Sequence, residues 1–189
     1  MSLRSLNDVC ADLDLGVNPN PVNMLPDAWT QFLMSYQWQW FVTLTFRDST
    51  HPEAADKLFR VWVSRLNRLL LGNGYRRKPQ SCIHWVRGLE LQKRGVIHFH
   101  ALMYSVEDLN VKLRRLDAMD DWAKLVSRTK HNPLPHELKG TARIETPESQ
   151  ENVSDYTAKY CVKDGQIDVS DNLPAKPRTQ AQFFGSRSR

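Results

Sequence analysis

The chain has no apolar run of membrane-spanning length, so no helix is expected to cross a bilayer. Its first residues, Met1-Ser-Leu-Arg-Ser-Leu-Asn-Asp8, lack the apolar core of a secretory signal. Cysteine is scarce: Cys10, Cys82 and Cys161 are odd in number, far apart and in no zinc-ligand pattern. That usage fits a reducing compartment rather than a disulfide framework. There is no internal repeat and no Gly-x-x-x-x-Gly-Lys phosphate loop, which excludes a P-loop ATPase or helicase. These absences together lead to the expectation of a cytoplasmic protein with no membrane partner.

What is present fits one sizeable hydrophobic core. A chain of 189 residues, 41% hydrophobic, is large enough to build it. The net charge of +5 and the pI near 9.2 favour a polyanionic partner. The charge is unevenly spread. Over residues 1–30, Arg4 stands against Asp8, Asp12, Asp14 and Asp27, a net of −3. Residues 174–189 carry Lys176, Arg178, Arg187 and Arg189 with no acid, a net of +4. Such a tail serves either solubility or phosphate contact.

Periodicity divides the chain into an N-terminal arm (1–37), a central domain (38–165) and a basic, flexible tail (166–189). The arm is expected to be irregular around its Pro-Asn-Pro-Val run, with a helical turn near Ala28–Met34. Trp38 to Phe46 is rich in β-branched and aromatic residues and reads as a strand. Thr50 and Glu53 have capping-box spacing before a helix with Leu58, Trp62, Leu66 and Leu69 as its apolar stripe, flanked by Val61 and Leu70. Gly72-Asn-Gly74 ends it, and Arg76-Arg77-Lys78 follows in a loop.

Two hairpin strands, Ser81–Glu90 and Val96–Tyr104, come next. Ser105-Val-Glu-Asp108 then opens a second amphipathic helix marked by Leu109, Leu113, Leu116, Met119, Trp122 and Leu125. His131 and His136, around a Pro-Leu-Pro stop, read as surface residues. Thr141–Thr146 is a short strand, and a last helix runs from about Glu148 to Lys163. The order β-α-β-β-α-β predicts an α+β fold with a ferredoxin-like, split βαβ core, an antiparallel sheet of about five strands and packed helices. Fold alone decides no function.

Chemistry enters at the hairpin Gly88-Leu-Glu-Leu-Gln-Lys-Arg-Gly-Val-Ile-His-Phe-His-Ala-Leu102. A three-residue loop, Lys93-Arg94-Gly95, with glycine in the left-handed position, sets Glu90 opposite His98 and Gly88 opposite His100. Opposed residues share a face and a strand repeats every two residues, so Glu90, His98 and His100 converge. Two imidazoles and a carboxylate suit a divalent ion with open positions. Paired histidines on a polar strand face also occur merely solvated.

The last helix presents Asn152, Tyr156, Lys159, Tyr160 and Lys163 on one side. Ala158, Cys161 and Val162 lie on the other and supply packing, so the tyrosines are not needed as the buried stripe. A tyrosine oxygen can attack a phosphodiester and hold the new end covalently. About one free phenol in a thousand is ionised at neutral pH. A nearby ammonium favours the phenolate, and a metal on the scissile phosphate offsets developing charge.

These segments, in this order, resemble the HUH endonucleases, in particular the rolling-circle replication initiators of small plasmids and single-stranded DNA phages. Phe41-Val-Thr-Leu-Thr-Phe46 is similar to their first motif. His98-Phe-His100, preceded by Ile97, is the His-hydrophobe-His signature, and Glu90 stands where related initiators place a third ligand. Tyr160-Cys-Val-Lys163 and Tyr156-Thr-Ala-Lys159 each resemble the Tyr-x-x-Lys nucleophile motif, and their overlap resembles the two-tyrosine subgroup. The likeness spans residues 41–165; no helicase domain is present, and the arms match nothing in the pattern.

The resemblance implies nicking of single-stranded origin DNA, with a hairpin, in a bacterial or archaeal host cell. The products would be a 5′-phosphotyrosine and a 3′-hydroxyl that primes synthesis, with rejoining needing no ATP. It implies Tyr160 and Tyr156, with Lys163 and Lys159, as catalytic residues, and Glu90, His98 and His100 as ligands of manganese or magnesium. Two histidines favour manganese. A host helicase and polymerase would be partners, and Arg76, Arg77, Lys78, Lys93 and Arg94 are the DNA-contact candidates. The same chemistry serves HUH transposases and relaxases. A non-catalytic single-stranded nucleic-acid module, stacking bases on Trp38, Trp40 and Phe41, is the alternative from another class.

Overall fold

The computed structural model describes residues 21–127, 140–149 and 167–174, with side chains from residue 28 onward. Its first element is a helix, α1 (Pro21–Met34), where the sequence suggested an irregular arm. Tertiary packing accounts for the difference. Trp29, Leu33 and Tyr36 are buried with Trp38, Val86 and Leu102 in a cluster of their own, and the Trp38 indole N–H caps the backbone carbonyl of Leu33 at 2.7 Å.

Strand β1 (Trp40–Thr45) alternates strictly, with Trp40, Val42 and Leu44 buried and Phe41, Thr43 and Thr45 half-exposed. Helix α2 (Pro52–Leu71) starts one residue later than the capping-box reading required. His51 is its N-cap with no side-chain cap, and the Thr50 hydroxyl turns back to the carbonyl of Asp48 instead. Its buried stripe is Ala55, Phe59, Trp62, Val63 and Leu66. Leu69 is 67% exposed and Val61 39% exposed, so the face is rotated from the one expected, because Phe59 rather than Leu58 meets the sheet.

Two short 3-10 turns lead into β2 (His84–Leu91), which pairs with β3 (Ile97–Tyr104). The second amphipathic segment is broken in two, α3 (Leu109–Lys112) and α4 (Arg115–Ser127). Asp108 caps the first by accepting from the Asn110 N–H, and Leu113 is extended between them. The break turns Leu116 outward, 68% exposed. Strand β4 (Ala142–Glu145) falls inside the range expected for it. Strand β5 (Ile167–Val169) was not expected; it pairs with β2, so the ordered sheet reaches into what read as tail.

The sheet order is β4-β1-β3-β2-β5, and every neighbouring pair is antiparallel. The first four strands with α2 and α4 are the expected split βαβ arrangement in an α+β fold, extended by β5 at one edge. One sheet face packs on the helices through Phe46, Phe59, Trp62, Trp85, Phe99 and Trp122. Each such ring contributes on the order of 2 kcal/mol or more by leaving water. The Trp62 indole N–H finds the carbonyl of Ala118 at 3.0 Å, so its burial leaves no donor unpaired.

Arg87 is also on this helical face. Its guanidinium lies between the rings of Phe59 and Phe99, at 4.4 and 4.3 Å. It donates to Asp56 on α2 at 2.7 Å and to Asp168 on β5 at 2.9 Å. Arg60 reaches the same two carboxylates. No helix among the described residues is long and apolar enough to cross a membrane.

Candidate active site

The opposite sheet face is covered at one end by α1 and carries polar groups at the other. The hairpin turn sets the arrangement. Gly95 has φ +73°, a conformation a side chain resists. Gln92 N–H bonds to Val96 O at 2.9 Å and Gly95 N–H to Gln92 O at 2.7 Å. That closes the three-residue loop, and the register follows: Glu90 pairs with His98 and Gly88 with His100. On the other side of β3, Thr45 pairs with His98 and Thr43 with His100. Glu90, His98 and His100 therefore share one face, together with Thr43 and Thr45 of the first motif.

His100 is only 5% exposed. Its Nε2 lies 3.1 Å from Glu90 Oε2 and its Nδ1 3.4 Å from Thr43 Oγ1. A neutral ring that donates Nε2–H to the carboxylate and accepts the hydroxyl at Nδ1 satisfies both contacts. Phe41 lies parallel to the imidazole, 12° between planes and 6.3 Å between centroids. The His98 ring stands 6.3 Å from that of His100, tilted by 52°. Burial holds His100 below the usual histidine range, with Glu90 pulling the other way. His98 is held down by burial, with His100 and Arg94 adding to the effect.

Both rings are thus kept neutral, the state a metal ligand requires. In residue type, facing and protonation the trio fits a divalent ion. As the side chains stand, Glu90 is bonded to His100, and no three His, Cys, Asp or Glu groups among the described residues close on one point.

The basic candidates do not form one patch. Lys93 and Arg94 sit in the hairpin turn beside Glu90, and Arg94 donates to the carbonyl of Phe46 at 3.3 Å. Arg76, Arg77 and Lys78 lie before the other end of β2, roughly 24 Å away by the rise of an extended strand. Arg76 packs over the Tyr75 ring. Tyr156, Lys159, Tyr160 and Lys163 lie outside the described residues, as do His131 and His136. Trp38 and Trp40 are 2% and 0% exposed, so neither offers a ring to a base.

Two polar residues of this face went unremarked in the sequence, Thr43 and Arg143. Alternation showed that Thr43 leaves the core side of β1, and Arg143 flanks the apolar Ile144 in the same way. Strand pairing was needed to bring both into the row of His100.

An α+β sheet with two facing histidines and a carboxylate on its open side defines the class of protein in which the chain stands. The family model of the replication-associated protein of the ORF2 type matches residues 39–165, and the chain belongs to that family. The membership supports a role in DNA replication of the rolling-circle initiator kind. No curated protein and no solved structure matches the chain.

Proposed function

We propose that the protein nicks single-stranded DNA at a replication origin by HUH-type strand transfer, starting and ending rolling-circle replication. The observation that carries the reading is the register of the hairpin, which puts Glu90, His98 and His100 on one open sheet face within a replication-associated family. The Tyr160 oxygen attacks the scissile phosphorus as its proton leaves. The bond from phosphorus to the 3′-oxygen breaks, that oxygen takes up a proton, and the 5′ end stays on the tyrosine. Lys163 stabilises the phenolate by charge. Tyr156, with Lys159, repeats the step on the regenerated junction. Glu90, His98 and His100 would hold manganese or magnesium, which when bound neutralises charge on the phosphate oxygens.

Strand directions support bringing the tyrosines to this face. β3 and β4 run the same way and are joined across the helical face. β4 and β5 also run the same way, but the path between them crosses the sheet in the opposite sense. Such connections are right-handed in about 98% of cases. For β4 to β5 that hand corresponds to the histidine face. The burial of Trp38 and Trp40 removes the stacking platform that a purely binding module needed. The replication-associated family favours an initiator over a transposase or relaxase. Single-stranded origin DNA is the substrate in this reading, with Lys93 and Arg94 beside the site as contacts and a host helicase and polymerase downstream.

The test is incubation with labelled single-stranded oligonucleotides and manganese, followed by denaturing electrophoresis. Wild type should yield a covalent protein–DNA band that chelator abolishes, and Tyr160→Phe should lose the first-cut adduct. An undiminished adduct in Tyr160→Phe would move the nucleophile elsewhere.

A further inference from the structure

Strand β4 lies at the sheet edge and puts two charged residues on the histidine face. Arg143 pairs with Thr43 and Glu145 with Phe41, while Ile144 pairs with Val42 and is buried on the helical side. Thr43 pairs in turn with His100, and His100 with Gly88. One row across the sheet thus reads Arg143, Thr43, His100, Gly88. Strands two apart are separated by about 10 Å, and only the small Thr43 stands between the guanidinium and the imidazole along that row.

The Arg143 side chain is 74% exposed and donates to Glu145, itself 45% exposed, at 2.7 Å. An exposed pair of this kind is worth no more than about 1 kcal/mol, so the carboxylate is readily exchanged for another anion. A guanidinium offers a planar fork that matches two oxygens of a phosphate. The charge needed for a DNA strand arriving from the β4 edge is therefore in place beside the histidines.

We infer that Arg143 is a phosphate-binding residue that holds the DNA backbone next to the histidine site, with Glu145 occupying its fork when DNA is absent. The inference rests on reading the histidine face as the DNA site, but not on the chemistry of nicking. It makes Arg143 a substrate-positioning group on a strand for which the sequence suggested no role.

The experiment measures binding of a fluorescein-labelled oligothymidylate to the full chain by anisotropy, over a series of KCl concentrations and without divalent ions. Losing one phosphate contact should make the slope of log K against log salt shallower by about 0.7. Arg143→Gln should show that change and bind several-fold more weakly at low salt, while Arg143→Lys should restore the slope. Glu145→Gln should bind more tightly, and only while Arg143 is present. Lys124→Gln, a control on the far side of the molecule in α4 at 67% exposure, should match wild type. An Arg143→Gln slope equal to that of wild type overturns the inference. Absence of any covalent adduct in the nicking assay overturns the proposed reaction instead, so the two failures are separable.

Discussion

At the scale of single residues, His100 shows how protonation and geometry are joined. It is buried between Thr43, Glu90 and Phe41, and burial disfavours its charged form. His98 is shifted the same way. A folded-state pKa below the unfolded value near 6.5 means that the unfolded chain binds more protons in the window beneath it. The stability these groups contribute is complete above about pH 6.5 and is lost as pH falls through their folded values. Thermal melts should therefore show Tm declining below about pH 6.5, with a flatter decline in His100→Gln. An identical pH dependence in the variant would refute the assignment. Among the residues of this face, Glu90, His98 and His100 were legible because a two-residue repeat and a glycine turn suffice to align them. Arg143 was not, because its partner strand lies about 100 residues away and no local pattern names it.

At the scale of elements, the buried Arg87 explains how a three-residue strand is held at the sheet edge. β5 adds few backbone bonds, but Asp168 from it and Asp56 from α2 converge on one guanidinium seated between two rings. Arg87 is 7% exposed. Replacing it by alanine leaves two carboxylates facing a core with only Arg60 to answer them. Arg87→Ala should cost about 3–5 kcal/mol in denaturant unfolding, and Arg87→Lys should recover part of it. A loss within experimental error would show the network to be ornamental. β5 was missed because Ile167-Asp-Val169 is short and bounded by polar residues, and its acid reads as surface until Arg87 is placed opposite it. The rotated stripe of α2 has a similar origin: helical spacing permits either Leu58 or Phe59 inward, and the aromatic floor of Trp85 and Phe99 selects Phe59.

At the scale of the whole molecule, the sheet divides its two faces between packing and chemistry. α2 and α4 cover one face completely. α1 covers only the end of the other, where Leu33, Tyr36 and Trp38 meet Val86 and Leu102. Leu33 is 0% exposed, so Leu33→Ala should destabilise the domain by about 2–5 kcal/mol in a single cooperative transition. A separate early transition for α1 would show instead that the helix docks on an already complete domain.

The strand–helix order, the split βαβ core and the facing Glu90, His98 and His100 followed from sequence alone, because alternation, helical spacing and one glycine turn are local rules. The covering of the second face by α1, the docking of β5 through Arg87 and the row from Arg143 to His100 were decided by tertiary structure. Each depends on which distant strands and helices come to lie side by side, and contacts between residues far apart in the chain leave no periodic trace in either partner.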